Sequence, residues 1–416
     1  MAIFSPSGGG RVGDPQAARN DVDWKRNLAI LWFAQFISIL SFSFCFPFIP
    51  LFLQNELGVT DRHELAVWSG LSGGASGFAL SLVSPVWGLA ADRWGRKPMV
   101  IRAMVAGGFL LGAMGLARTP VEVVIIRVLQ GAFSGTVAAA ITLVATGTPR
   151  QRVGWAMGLL SSAVALGSAA GPFIGGVAAS LLGLRTVFLI GCPLMLAAVL
   201  PVILMVREPP LRAAGQASAR TLESIRNAGP GAFAAIGVLL LAQTLIQVGF
   251  AGSQLIVPLK LIQLAGTNAT GATGVAFAAA GVASAVAAIG YSRLARRIGY
   301  RWLSAIGGIV AAFALALMAQ APTEALVVVA ILVAGLCFGA VGPATSAMLG
   351  LEAPPAVQGR IFGLSASATA VGWFLGPLIG GTMAGVLSIS IALYTLGGFA
   401  VALALMMTLL GREPAR

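Results

Sequence analysis

Gly88-Leu89-Ala90-Ala91-Asp92-Arg93-Trp94-Gly95-Arg96-Lys97 is the stretch on which the reading of this chain turns. It sets one acid, three bases and two glycines between long apolar runs, in a chain where only 9% of residues are charged. So short a connection forces the flanking helices into an antiparallel hairpin. Gly88 is read as letting the first helix end tightly against a neighbour, and Gly95 as supplying the turn before the next helix. Arg93, Arg96 and Lys97 are the residue types of the cytoplasmic membrane edge. Asp92 is placed to face a helix N-terminus or an arginine. An ordinary basic loop would explain the three cations, but not Gly88 and Asp92 at their spacing.

Working outward, the chain is 416 residues long and 58% hydrophobic, with a mean hydropathy of +0.92. Such a chain lies in the bilayer over its whole length and leaves no room for a sizeable soluble domain. At roughly 20 residues per crossing plus short loops, it holds about twelve spanning helices. Residues 1–26 read as a disordered cytoplasmic tail. Spans follow at about 27–53, 66–89, 98–117, 121–145, 155–182 and 186–206, the first broken by Pro47 and Pro50. A hydrophilic linker at 207–231 separates them from spans at about 232–259, 272–291, 302–320, 325–348, 360–384 and 391–410, and 411–416 form a short tail.

Charge position sets the orientation. With both termini inside, 21 of the 26 Lys and Arg residues fall on the cytoplasmic side; Arg62, Arg118, Arg185 and Lys260 fall outside, and Arg127 lies within a span. That bias predicts a multi-pass protein of the bacterial cytoplasmic membrane with both ends in the cytoplasm. Cation excess of this kind needs no nucleic acid. Cys45, Cys192 and Cys337 sit in apolar runs and read as packing residues, and His63 is the one histidine, so neither a metal site nor a cofactor is expected. There is no nucleotide loop and no nucleophile–base set, which argues against an enzyme.

The two halves repeat. Gly167-x-x-x-Gly171-Pro172-x-x-Gly175-Gly176 in span five recurs 205 residues later as Gly372-x-x-x-Gly376-Pro377-x-x-Gly380-Gly381. The opening stretch recurs at an offset of 204 in degraded form, with Gly299 for Gly95 and Arg301 for Lys97, but Arg296 for Asp92 and Ser292 for Gly88. A six-plus-six duplication predicts two bundles with substrate held between them near the midplane.

The opening stretch, complete at Gly88, Asp92, Arg93, Gly95, Arg96 and Lys97, resembles the signature of the major facilitator superfamily. The chain from about Asn27 to Leu410 looks most like its twelve-span drug:proton antiporter branch. The resemblance implies an all-α membrane protein with twelve helices in two pseudo-symmetric six-helix bundles. It also implies export of hydrophobic or weakly cationic drug-like molecules in exchange for protons by alternating access. Gly167, Gly171, Pro172, Gly175 and Gly176 look like the antiporter motif. Arg127 and Gln130 match an Arg-x-x-Gln-Gly motif that implies a role in coupling, with Glu122 as a further candidate. A latch is expected between Asp92 in the signature and the start of span eleven near Arg360.

Helices one, four, seven and ten usually line the cavity in such proteins. That offers Gln35, Phe42, Phe46, Phe133, Gln243, Gln247 and Phe338, with Trp373 from span eleven, as substrate contacts; aromatics with few charges suit apolar or weakly cationic ligands. An arginine inside a span is by default a functional hypothesis, unless it lies near enough to the surface to snorkel. No carboxylate is placed at mid-membrane, which departs from many drug:proton antiporters and leaves Asp92 or Glu122 as proton carrier. A proton-independent facilitator, an exporter of sugars or metabolites, and a lipid translocator of the same fold are the alternatives. The partners implied are a small hydrophobic substrate, protons and membrane lipids, with the protein acting as a monomer.

Overall fold

The computed structural model describes residues 23–149, 152–208, 230–266, 269–353 and 358–413. Residues 1–22 of the predicted N-terminal tail, residues 209–229 of the central linker and the side chains of Cys45, Asp92 and Arg360 lie outside what is described.

Among the described residues, twelve helices are long and apolar enough to cross a membrane: Trp24–Asn55, Arg62–Ser84, Arg96–Leu116, Pro120–Gly147, Trp155–Leu182, Leu184–Met205, Phe233–Ala265, Ala269–Ile298, Tyr300–Ala319, Glu324–Glu352, Ile361–Val386 and Ile389–Leu409. They are numbered here as spans one to twelve. Span one begins earlier than expected, because Asp23 caps it and its carboxylate accepts from the backbone N–H groups of Lys25 and Arg26. Its break falls at Phe46–Phe48, a 3₁₀ turn around Pro47.

Two expectations need correction. The helix of span two runs from Arg62 through to Trp94, so the opening stretch is helix rather than a ten-residue loop. The whole turn is the single residue Gly95, at φ +97°, and the next helix starts at Arg96. Gly88 therefore does not end a helix against a neighbour; a side chain there would meet open space. The sequence also predicts a continuous span four, yet it breaks between Phe133 and Thr136, where Gly135 takes φ +117°. In lipid a break survives only if neighbours take up the freed backbone groups. Here the Trp87 indole N–H donates to the Ala132 carbonyl at 2.7 Å, Arg102 Nη2 to that of Ser134 at 3.2 Å, and Gln35 to that of Thr136 at 3.2 Å.

The duplication is visible in contacts. The Glu208 carboxylate accepts from the Arg96 and Lys97 N–H groups, 2.6 and 3.0 Å away, and Glu413 does the same for Tyr300 and Arg301 at 2.8 and 2.9 Å. Each carboxylate caps the helix that follows a positive-φ glycine, where the helix dipole favours an anion. At the opposite end, Arg185 bonds Glu56 at 3.0 Å and the carbonyls of Gly115 and Ala117. Lys260 reaches the Ala319 carbonyl at the equivalent place, joined by Ser390. Two of the four cations predicted to lie outside thus staple helix ends together.

The halves meet along two glycine crossings related by the same offset. A Cβ on Gly70 would lie 2.9 Å from Gly381 Cα, and one on Gly274 2.9 Å from Gly176 Cα. Both crossings, and those of Gly77 with Phe374 and Gly281 with Ala169, lie in the half of the molecule away from the termini. Toward the termini, Gly88, Gly158, Gly290 and Gly363 on the same four helices have nothing within 4 Å of a Cβ position. The space between the halves is closed at one end and open at the end that carries the chain termini.

Candidate functional site

Span four carries Arg127, only 5% exposed, toward span two. Its Nε donates to the Ser72 carbonyl at 3.1 Å, Nη1 to Gln130 Oε1 at 2.8 Å and Nη2 to Ser76 Oγ at 2.7 Å. These contacts hold the guanidinium plane 4.8 Å from the centre of the Phe46 ring, which lies at the break in span one. Arg127 is therefore fixed inside the protein, not snorkelling to the surface. Gly131 makes the crossing possible, since a Cβ there would overlap the Ser76 carbonyl.

From Phe46 a chain of rings crosses between the halves. Phe46 meets Trp373 edge-on at 5.6 Å, Trp373 meets Phe250 at 5.9 Å, and Phe250 meets Phe338 at 5.4 Å. Ring faces attract apolar groups and cations, and that of Phe46 already meets Arg127. Phe250 and Phe338 then line a cavity of about 220 Å³ together with Ser168, Pro172, Gln254 and Phe277. Gln254 Oε1 is buried there with no hydrogen-bond partner among the described residues. The arrangement is a chamber walled by Phe250, Phe277 and Phe338 with one unmet acceptor, and Arg127 stands at the other end of the ring chain, beyond Trp373 and Phe46.

The structure thus brings together Arg127, Gln130, Phe46, Trp373 and Phe338 from the predicted set and adds Phe250 and Gln254. Those two were missed, though they continue the stripe of span seven that holds Gln243 and Gln247 at helical spacing. Other predicted contacts stand elsewhere. Phe42 packs toward Gly107 and Met195 inside the first bundle. Phe133 lies against Trp87 at 6.2 Å, on a groove outside the chamber. Gln35 supports the break in span four. Gln243 is held by Ser346 and Ser365, and the Cβ of Gln247 packs under Gly372. Each of these moves is a polar or aromatic group finding a partner on the helix beside it, which one helix's sequence does not reveal.

Glu122 is also displaced from the chamber. It sits in the first turn of span four, bonded by the Arg118 N–H at 2.8 Å, with its own N–H on the Thr119 hydroxyl. Five residues along a helix rotate by roughly 140°, so it points away from the Arg127 face. The antiporter-like element divides its labour. Gly167, Gly171 and Gly175 admit the backbone of span one, Gly176 admits span eight, and Pro172 lines the chamber. Of the predicted latch, Gly95, Arg96 and Lys97 gather at the Glu208 cap, Arg93 lies over the Trp94 ring at 6.0 Å, and Gly88 stands open.

Residues 31–268 and 239–416 each match the family model described as Major Facilitator Superfamily. The chain belongs to that superfamily. It is 30% identical to the multidrug resistance protein MdtG of Klebsiella pneumoniae (strain 342), over 96% of this chain and 97% of that one. It is 32% identical to the multi-drug resistance efflux pump PmrA of Streptococcus pneumoniae serotype 4, over 88% and 91%. Its fold matches a crystal structure of the nucleoside transporter NupG with a TM-score of 0.72 at 15% identity, covering 93% of this chain and 98% of that one. A POT family transporter in complex with 5-aminolevulinic acid matches with a TM-score of 0.74 at 12% identity, over 93% and 96%. The chain is a multi-pass membrane protein of the multidrug-exporter type, with a transport role rather than a catalytic one.

Proposed function

We propose that this protein is a monomeric, proton-driven exporter of hydrophobic or weakly cationic drug-like molecules in the bacterial cytoplasmic membrane, with both termini in the cytoplasm. The observation that carries the reading is the ring chain Phe46–Trp373–Phe250–Phe338. It is contributed by both halves and backed by Arg127 at one end and the Gln254 acceptor at the other. A substrate held by rings from both halves is released when the halves rock apart, the requirement of alternating access. With the termini inside, the open end is the one that takes up drug from the cytoplasm.

A guanidinium does not serve as a proton carrier in proteins, so the part of Arg127 in coupling is electrostatic. It answers to the protonation of a carboxylate elsewhere. Glu122 is committed to capping its helix, and Asp92 is the proposed proton carrier as well as the proposed latch onto the start of span eleven near Arg360.

Everted membrane vesicles test the proposal. On adding lipophilic cations and neutral drugs in turn, drug-dependent proton release from the lumen is expected, and its loss in Arg127→Ala. Drug flux with no proton movement would make the protein a facilitator. Asp92→Asn should lose the coupling and shift the balance between the two states; if neither changed, the latch would be wrong.

A further inference from the structure

A second recess lies apart from the central chamber. It is a groove of about 700 Å³ along spans three and four, at the end that carries the termini, lined by Lys97, Ile101, Arg102, Val105, Ala106 and Phe133 among others. No lining residue comes from spans seven to twelve, so the groove is not part of the space between the halves. Residues 97, 101 and 105, and likewise 98, 102 and 106, recur four apart, so they form one stripe on the face of span three.

The chemistry along this stripe changes with depth. Lys97 is the second residue of its helix, at the membrane edge. Arg102 lies roughly 7.5 Å deeper, from five residues at the helical rise. Ile101 stands beside it, and below it the wall is apolar: Val105, Ala106 and the Phe133 ring. Among the described residues the groove is lined by two cations and no carboxylate. Arg102 is held rigidly, its guanidinium 3.4 Å from the centre of the Trp87 ring and Nη2 on the Ser134 carbonyl. Its Nε and Nη1 are covered and make no hydrogen bond. A cation one and a half turns inside a bilayer calls for a counter-charge, and basic recesses between spanning helices take lipid head groups.

We propose that this groove binds an anionic phospholipid from the leaflet on the side of the termini. Its phosphate sits against Lys97 at the mouth, in the field of the Arg102 guanidinium behind it, and one acyl chain lies along Ile101, Val105, Ala106 and Phe133. The charges at the mouth match the head group, and the apolar floor matches the tail.

Native mass spectrometry of the full-length protein, titrated separately with dioleoyl phosphatidylglycerol and dioleoyl phosphatidylcholine, tests this. Phosphatidylglycerol should be retained at least about five-fold better. Arg102→Gln should lower that retention about five-fold, while Arg102→Lys keeps most of it. Val105→Trp, which fills the floor without touching a charge, should lower it as well and serves if Arg102→Gln does not fold. Lys25→Gln, at the same end but outside the groove, should leave it unchanged. Equal retention of the two lipids, indifference to both Arg102→Gln and Val105→Trp, or an equal loss in Lys25→Gln would overturn the proposal. So would displacement of the lipid by millimolar inorganic phosphate, which would mark a simple anion site.

Discussion

Spans two and four cross at Gly131 over Ser76, and spans eight and ten cross at Gly335 over Ala280, 204 residues on. In both, a Cβ would collide with the carbonyl of the facing helix, so the backbones approach in the same way. What fills the crossing differs. The first holds Arg127 with Gln130, Ser72 and Ser76 around it. The second has Ile331, Ala334, Gly335 and Ala280 at the matching places, and Ile331 and Gly335 line the apolar chamber. Duplication preserved the geometry of close approach and let the two chemistries part, one half carrying charge and the other a greasy wall. The proposed exchange of an apolar molecule for protons would use both, and here they are divided between halves.

This contrast can be broken by substitution. The largest effect is expected from removing the charge: Arg127→Ala should cut gradient-driven efflux of a fluorescent drug by about 100-fold, because a charged group with several hydrogen bonds is lost at once. Arg127→Lys, which cannot make the same fork, should fall between the two. The converse change, Ile331→Arg, puts a charge where the matching residues offer it no polar partner. A loss of stability of about 3 kcal/mol is expected, read as a lowered thermal midpoint in detergent.

Glycine substitution sharpens what the two crossings share. Gly131→Ala and Gly335→Ala should destabilise by a similar amount, about 1–3 kcal/mol each, since both force backbones apart. A large difference between them would mean that the polar filling, not the approach, sets the tolerance. Between the halves, Gly70→Val and Gly176→Val should both oppose closure of the end away from the termini. Spin labels placed across that end would report a shift toward longer distances in each variant.

The smallest effects are expected at the paired carboxylate caps. Glu208→Gln and Glu413→Gln should each cost about 0.5–2 kcal/mol, by weakening a cap at the start of spans three and nine. Unequal costs would show that the capping carboxylate beside the complete signature has a task that its degraded copy has lost.

Much of the fold was legible along the chain. Runs of apolar residues marked the spans within a few residues, because the bilayer thickness sets their length and admits little else. Pro47 marked the break in span one. The break at Gly135 was not legible, since a glycine in a span is ordinary until Trp87, Arg102 and Gln35 are seen to take up the freed carbonyls. The candidate site was half legible. Arg127 stood out because charge in hydrocarbon is costly, whereas Phe42 and Phe133 could not be told from Phe46 by sequence, as all are aromatics in a cavity-lining helix.

The sequence by itself determined the number of spans, the duplication and which residues could not face lipid alone. These follow from the cost of exposing polar groups to hydrocarbon, a cost each segment meets on its own. Only the tertiary structure decided which glutamines are struts, which rings face the chamber, and that Gly95 alone makes the turn beside a Glu208 cap. Those outcomes depend on which helix lies opposite, and that partner is often a hundred or more residues away along the chain.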